Sequence, residues 1–184
     1  MTEREPIDLV LAGGGTLAPV HVGALDAISR VKNIKAIGGT SAGSIVAAGY
    51  AVGMTPKQMM DIFKNVFSGA VLDVSWMPWD RWGLFKGDAI LKALKAHFPQ
   101  RMGDVKMDLR IVVADLWTRE PEVITPTSHP HIFLHDAVRC SIAIPGFFKA
   151  HRLDPTSARL YVDGGVSMNF AHSVFDDRPE RTVG

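Results

Sequence analysis

The run Gly39-Thr40-Ser41-Ala42-Gly43 has the residue types and the spacing of a turn that presents a serine nucleophile. It lies between a short apolar run and a helix-like segment, and a tight strand-to-helix turn holds its central residue in a strained conformation. Glycines two residues away on each side remove Cβ atoms that would clash there. The run therefore predicts that Ser41 is a nucleophile, although the same pattern also arises by chance.

Two further motifs offer what a serine nucleophile needs. Gly13-Gly14-Gly15 follows an apolar run and precedes a helical pattern, so its backbone N–H groups suit a phosphate or the oxyanion of an acyl-transfer intermediate. The phosphate alternative has little support, because neither G-x-x-x-x-G-K-[ST] nor G-x-G-x-x-G occurs here. Asp163-Gly164-Gly165 follows the apolar run 160–162. A plain turn has the same composition, but its carboxylate could serve Ser41 as a base.

Alternating strands and helices must position these motifs. Apolar runs predict strands at 9–12, 34–37, 109–117 and 123–125. Helical patterns follow the glycine run and the Ser41 turn, and others begin at Thr55, Asp88 and His135. The apolar positions assigned to the first helix are Val20, Gly23, Ala24, Ala27, Ile28 and Val31. This alternation indicates an α/β domain with a largely parallel sheet.

Composition and charge exclude several classes of protein. The chain has 184 residues, 47% of them hydrophobic, and a net charge of +1, which fits one domain. It has no basic run, so we expect no nucleic-acid partner. Cys140 is the only cysteine, which excludes an intramolecular disulfide. The apolar run near the N-terminus is too short for a signal peptide or a membrane span, so we expect a cytoplasmic protein.

Taken together, the motifs resemble those of the patatin-like phospholipase family over almost the whole chain. Gly13-Gly14-Gly15 matches the oxyanion loop, Gly39–Gly43 the nucleophile elbow and Asp163-Gly164-Gly165 the D-G-G motif. Weaker similarities lie at Gly83-Leu84-Phe85 and Ser141–Gly146. The resemblance implies a three-layer α/β/α fold with a largely parallel central sheet, and a single domain over residues 1–184.

The resemblance also implies a Ser-Asp dyad. Ser41 would attack an ester carbonyl, Asp163 would take its proton, and N–H groups of the glycine loop and Ala42 would hold the oxyanion. The glycines that permit these turns are Gly13, Gly14, Gly15, Gly39, Gly43, Gly164 and Gly165. The implied activity is that of a lipid acyl hydrolase of the phospholipase A, lysophospholipase or esterase type. Its substrate would be a lipid or another acyl ester, with peripheral contact to a membrane and with no metal or other cofactor.

Two features depart from the family pattern. After its three glycines the family usually has a variable residue, a basic residue and a glycine, whereas this chain has Thr16, Leu17 and Ala18. The missing positive charge keeps a second hypothesis open, that of a catalytically weak or inactive lipid-binding or interaction module. Such domains also continue well past D-G-G, so we expect this one to be cut short near Gly184. The sequence does not specify an oligomeric state.

A histidine base is the rival mechanism. His172 follows Asp163 in the chain, as the base of a Ser-Asp-His hydrolase would. The other candidates are His21, His129, His131, His135 and His151. His129 and His131 share a Pro-rich loop, but no third metal ligand is specified, so we expect solvated loop histidines.

Aromatic residues gather in the irregular segment 69–87. Trp76, Trp79 and Trp82 lie there with Met77 and Phe85. They could form a membrane-facing rim beside an acyl-chain site, because indole rings favour an apolar–polar boundary. Packing within the core would explain them equally well.

Overall fold

One mixed sheet organises the chain. The structure is a computed structural model that describes residues 4–66, 73–74 and 83–184. The strands in these ranges are β1 (Pro6–Leu11), β2 (Asn33–Thr40), β3 (Gly83–Phe85), β4 (Asp108–Asp115), β5 (Pro121–Ile124), β6 (Gly146–Phe148), β7 (Tyr161–Asp163) and β8 (Thr182–Val183). The helices are α1 (Ala18–Val31), α2 (Ala42–Ala51), α3 (Pro56–Val66), α4 (Asp88–His97), α5 (Leu134–Ser141) and α6 (Gly165–Met168). Trp76, Met77, Trp79 and Trp82 lie outside the described residues.

The central sheet is mostly parallel, as the sequence predicts. Its strand order is β5-β4-β2-β1-β8, and β7 also pairs with β4. The pairs β1–β2, β2–β4 and β1–β8 are parallel, whereas β5 and β7 run antiparallel to β4. A separate small sheet joins β3 and β6 in parallel. Pairing with β4 places Asp163 opposite Val113. This register fixes the position of Asp163 in the central sheet.

The two faces of the central sheet are covered differently. Alternate side chains point to opposite faces of a strand, and Leu9 and Ile111 join a large core with buried residues of α1 to α5. Val10 and Val112 point the other way, where they pack with Phe175. The second face is therefore covered by α6 and the short 3-10 turns that follow it, so the third layer consists of short elements in the described chain.

The buried stripe of α1 differs from the prediction. Ala18, Val22 and Leu25 face the core at spacings of four and three residues, whereas Val20 is 68% exposed and Val31 is also exposed. The predicted stripe counted glycine and alanine as equivalent to larger apolar residues. Because Val22 and Leu25 bury more apolar area than a glycine or alanine can, they determine the orientation of the helix.

Helix caps form by two routes. Thr55 and Gln58 make a capping box at the start of α3, where the sequence predicts a helix, through hydrogen bonds in both directions. Asp88 is the first residue of α4 and not its cap. The cap is Asp73, whose carboxylate accepts the N–H groups of Gly87, Asp88 and Ala89 at 2.7, 2.7 and 3.2 Å. A residue fourteen positions upstream thus anchors this helix.

An ion-pair network fastens the C-terminal segment to the second face. Asp8, which is fully buried in β1, pairs with Arg178 and with Arg181 at 2.7 Å. Arg178 also pairs with Asp108, and Arg110 bridges Asp108 and Asp177. Because the buried carboxylate of Asp8 has two cationic partners, the cost of removing it from water is offset.

Within the described ranges, each helix is too short or too polar to cross a membrane.

Candidate active site

Ser41 occupies a strained turn between β2 and α2. Its backbone has φ 52° and ψ −126°, a conformation that costs a non-glycine residue on the order of 1–3 kcal/mol. The carbonyl oxygen of Ser41 accepts two hydrogen bonds from Ser44, one from its backbone N–H at 2.9 Å and one from its hydroxyl at 2.6 Å. These bonds fix the first turn of α2, so the strained residue is held by the helix that it precedes.

The flanking glycines are required by close backbone approach. A Cβ added to Gly39 would lie 2.5 Å from the carbonyl oxygen of Gly43. A Cβ added to Gly43 would lie 2.5 Å from the carbonyl oxygen of Leu11. Backbone atoms cannot rotate away as a side chain can, so the spacing of the motif is a steric requirement of this turn.

Ser41 and Asp163 meet at the site, although 122 positions separate them in the chain. The Ser41 hydroxyl donates to Oδ2 of Asp163 at 2.6 Å. The other carboxylate oxygen, Oδ1, accepts the N–H of Gly165 at 2.7 Å. Both side chains are buried. The carboxylate is thus held from two sides, with one oxygen left facing the serine.

Burial makes Asp163 more basic. Removal from water raises the pKa of its carboxyl above the ordinary value of 3.8, while hydrogen bonds from Ser41 and Gly165 oppose part of this change. A carboxylate with a raised pKa accepts a proton more readily, which is the property a general base needs.

Ser141 anchors the elbow, and the sequence motifs did not assign it a role. Its hydroxyl oxygen accepts the N–H of Ser41 at 2.9 Å, and the same hydroxyl donates to the carbonyl of Val112 at 2.7 Å. Ser141 ends α5 and is fully buried. It therefore connects the strained residue to β4. The only sequence signal was its place at the head of the Ser141–Gly146 similarity.

The N–H groups of the glycine loop differ in their hydrogen-bond partners, although Gly13, Gly14 and Gly15 all line the cleft. Gly13 donates its N–H to the carbonyl of Asn169 at 3.0 Å, so this group is occupied and does not point into the site as a free donor. Gly15 opens a 3-10 turn and Ala42 opens α2. The N–H groups of such first residues have no acceptor within their own helix. Gly14 and Gly15 line the cleft with Ser41.

The side chain of Asn169 packs against the glycine loop, and the sequence motifs did not identify it. A Cβ on Gly13 would lie 2.4 Å from its Oδ1 atom, and one on Gly165 would lie 3.1 Å from the same atom. The glycine loop and the D-G-G motif therefore meet across this one side chain. A Cβ on Gly164 would lie 2.4 Å from the carbonyl oxygen of Val112, which explains the first glycine of the D-G-G motif.

Two openings lie side by side near the Ser41–Asp163 pair. The cleft that contains both residues has a volume of about 430 Å³. A neighbouring cavity of about 630 Å³ shares two wall residues with it, Pro145 and Val166. Both volumes lie in the range of about 300–1,000 Å³ that is typical of small-molecule sites.

The histidines do not join the pair. In the described part of the chain, no histidine is hydrogen-bonded to Ser41 or Asp163. His172 lies exposed on a 3-10 turn, with its ring 6.0 Å from that of Phe170. His129 bonds Ser128 and Glu122, His135 bonds the carbonyl of Phe98, and His151 bonds Asp136. His131 is exposed. His21 lies beside the glycine loop, where a Cβ added to Gly14 would be 3.5 Å from its Nε2 atom.

Metal ligands are not assembled in the residues that the structure describes, where no group of three or more His, Cys, Asp or Glu side chains could hold an ion. The Pro-rich loop is consistent with this, because His129 turns to Glu122 at 3.2 Å while the carbonyl of His131 accepts from Arg101.

The fold and the motifs define a known class of protein. The pattern described as "Patatin-like phospholipase" matches residues 9–176. The chain therefore belongs to the patatin-like phospholipase family.

Individual relatives are of several lengths. The chain is 34% identical over 203 residues to the uncharacterized protein YqhO of Bacillus subtilis, which covers 96% of this chain and 69% of YqhO. It is 24% identical to the triacylglycerol lipase ptl3 of Schizosaccharomyces pombe, over 90% of this chain and 41% of that protein. VipD of Legionella pneumophila shares the fold, with a TM-score of 0.67 at 17% identity over 89% of this chain and 46% of VipD.

Proposed function

We propose that this protein is a serine lipid acyl hydrolase that cleaves carboxylic esters through an acyl-enzyme on Ser41, with Asp163 as its base. The observation that carries the proposal is the 2.6 Å hydrogen bond from the Ser41 hydroxyl to Asp163, made at a strained elbow between β2 and α2. An activated serine needs an adjacent group that takes its proton, and this geometry supplies one.

In the first half of the reaction, the Ser41 oxygen attacks the ester carbonyl carbon while its proton passes to Oδ2 of Asp163. The protonated Asp163 then gives this proton to the leaving alcohol as the carbonyl re-forms. Gly165 remains hydrogen-bonded to Oδ1, so the carboxyl group keeps its orientation. The products of this half are an acyl ester on Ser41 and a free alcohol.

Negative charge on the carbonyl oxygen needs donors during this attack. Gly15 and Ala42 are the first residues of their helices and lie next to Ser41, so their N–H groups are available as donors. Gly14 lines the cleft that contains Ser41. One such donor contributes about 2.7–4 kcal/mol of transition-state stabilisation in a well-studied hydrolase. Gly13 has a different role, because its bond to Asn169 holds the loop in place.

Water completes the cycle. Asp163 accepts a proton from a water molecule, whose oxygen attacks the acyl carbon, and the proton returns to the Ser41 oxygen as the acid leaves. Both half-reactions thus use the same carboxylate, first as base and then as acid. The buried position of Asp163 favours this exchange because its raised pKa lowers the cost of the protonated state.

Apolar side chains around the two openings support a lipid substrate. Ile144 and Val166 line the cleft, and Leu84 and Trp117 line the neighbouring cavity; all four are exposed. Exposed apolar residues grouped at one place favour contact with an apolar partner. We therefore propose peripheral contact with a membrane. We also propose that the protein is cytoplasmic and that residues 1–184 act as one domain.

A fluorophosphonate probe tests the proposal directly. The probe phosphonylates activated serines, so we expect labelling of the wild-type chain at Ser41, located by peptide mass spectrometry. Ser41→Ala should remain unlabelled, and His172→Ala should be labelled at the wild-type rate. Absence of labelling in a folded sample would instead favour the binding or interaction module that Leu17 suggests.

A further inference from the structure

We infer that the cavity beside the cleft binds the anionic group of an amphiphilic ester, and that Arg119 holds this group. The inference rests on the proposed function, because it names the substrate class of the same site. It starts from Pro145 and Val166, which line both openings, so the cavity lies directly beside the cleft that contains Ser41.

Among the described residues that line this cavity, most are apolar, and the cation is Arg119. The apolar lining residues are Leu84, Leu116, Trp117, Pro145, Val162 and Val166. Trp117 is 72% exposed, so its indole is available to a ligand. An apolar pocket with a few placed polar groups is the usual form of a small-molecule site.

Arg119 is held in an unusual backbone conformation. Its φ is 63°, and Ser41 is the only other non-glycine residue with positive φ in the described part of the chain. The N–H of Arg119 donates to the carbonyl of Asp115 at 2.9 Å, and its carbonyl accepts the Ser167 hydroxyl at 2.5 Å. Residues keep such conformations where the surroundings hold them, and these cluster at ligand sites.

Ser167 links this conformation to the dyad. It lies in α6, the short helix that begins at Gly165, two residues after Asp163. The same helix supplies Val166 to the wall that both openings share. The position of the Arg119 backbone is therefore set by the segment that holds the base.

The charge of Arg119 is not neutralised within the described residues. Asp115 also lines the cavity, but Arg159 pairs with its carboxylate at 2.9 Å, and the N–H groups of Trp117 and Thr118 donate to it. These donors occupy both of its oxygens. No carboxylate of the described chain pairs with Arg119, so its guanidinium is free for a ligand.

A guanidinium beside apolar walls selects a particular chemistry. Its paired N–H donors match the oxygens of a phosphate or a carboxylate, while the walls bind hydrocarbon. The ligand class is therefore an acyl ester that carries an anionic group, as an anionic phospholipid does.

A binding experiment on Ser41→Ala isolates this site from catalysis. Dodecyl phosphate, dodecyl maltoside and inorganic phosphate are titrated calorimetrically below their micellar concentrations. We expect dodecyl phosphate to bind more tightly than either of the others. Arg119→Gln in this background should weaken its binding about two- to fivefold, the size of one exposed ion pair, and Arg119→Lys should weaken it less.

Arg30→Gln is the matched control. Arg30 is an exposed arginine of α1 that pairs with Asp26 and lines neither opening. Dodecyl phosphate binding that is equal in Arg119→Gln and Arg30→Gln would overturn the inference. If inorganic phosphate binds as tightly as dodecyl phosphate, the inference that the ligand is an amphiphile is overturned and the cavity is a simple anion site.

Kinetics of the wild-type chain separate this inference from the proposed function. We expect the ratio of kcat/KM for an anionic ester to that for a neutral ester of the same acyl chain to fall about two- to fivefold in Arg119→Gln. If the wild-type chain hydrolyses neither ester while dodecyl phosphate binding still depends on Arg119, the hydrolase proposal fails and the binding site stands. Hydrolysis with an unchanged ratio overturns the site alone.

Discussion

Ser141 accepts the backbone N–H of Ser41 at 2.9 Å and donates its own proton to the carbonyl of Val112 at 2.7 Å. One buried hydroxyl thus joins the end of α5, the strained elbow and the middle of β4. Because the N–H of Ser41 is paired in this way, the strained backbone does not also carry an unsatisfied buried donor. The elbow therefore depends on a residue one hundred positions away.

Ser141→Ala should weaken both the fold and the site. Removal of the hydroxyl leaves the Ser41 N–H and the Val112 carbonyl without this partner, and an unsatisfied buried group costs about 1–3 kcal/mol. We expect urea unfolding to show a loss of this size together with a lower kcat on an ester. Ser173→Ala, at an exposed position, is the control, and an equal effect of the two substitutions would contradict the role of Ser141.

The glycines of the elbow give a matched pair of substitutions. Gly39→Ala places a Cβ 2.5 Å from a backbone oxygen, so we expect a loss of about 3 kcal/mol or more in the free energy of unfolding. Gly23→Ala, in the exposed middle of α1, meets no atom within 4 Å. That change should instead stabilise the protein by about 0.5–1 kcal/mol, because alanine favours a helix.

Helix α4 offers a test of its long-range cap. Asp73→Ala removes the acceptor of three N–H groups, and we expect a cost of about 1–2 kcal/mol, as for other helix caps. Asp88→Ala removes only a carboxylate near the helix N-terminus and should cost about 0.3–1 kcal/mol. Chemical denaturation measures both, and a larger effect of Asp88 would contradict the assignment.

The pH dependence of stability follows from Asp163. Its pKa in the folded protein is raised, mainly by burial, so folding disfavours the ionised carboxylate. Its contribution to stability is therefore fully present below the ordinary pKa of 3.8 and is lost as pH rises through the folded pKa. Asp163→Asn should be at least as stable as wild type at neutral pH, and this advantage should shrink on acidification.

The ionisation of Asp163 should affect activity and stability in opposite ways as pH rises. Since the base must be ionised, kcat/KM should fall as pH decreases through the raised pKa of Asp163. The acid limb should therefore lie above the range of a solvated aspartate. An acid limb at or below the ordinary pKa would show that another group governs this step.

The sequence predicted the parts of the molecule that local patterns determine. The glycines around Ser41 and the D-G-G motif are readable because the backbone of each turn requires them, and apolar runs marked the strands that carry them. Asp73, Ser141 and Asn169 were not identified in this way. Their roles arise from contacts across the fold, and no local pattern in a single sequence specifies such pairings.

The orientation of α1 shows the same limit. Several small residues have a helical spacing, but the core selects Val22 and Leu25 because they fill more of the space above the sheet. Arg119 is a further case. Its positive φ is set by bonds to Asp115 and Ser167, neither of which marks a binding site in the sequence.

The central claim is that Asp163, and no histidine, activates Ser41. Its most direct test is the steady-state hydrolysis of a short-chain p-nitrophenyl ester by Asp163→Asn, with Ser41→Ala and His172→Ala in parallel. We expect kcat to fall about 10²–10⁴-fold in Asp163→Asn, the usual contribution of a positioned base, with loss of activity in Ser41→Ala and wild-type activity in His172→Ala. Full activity in a folded Asp163→Asn protein would contradict the claim.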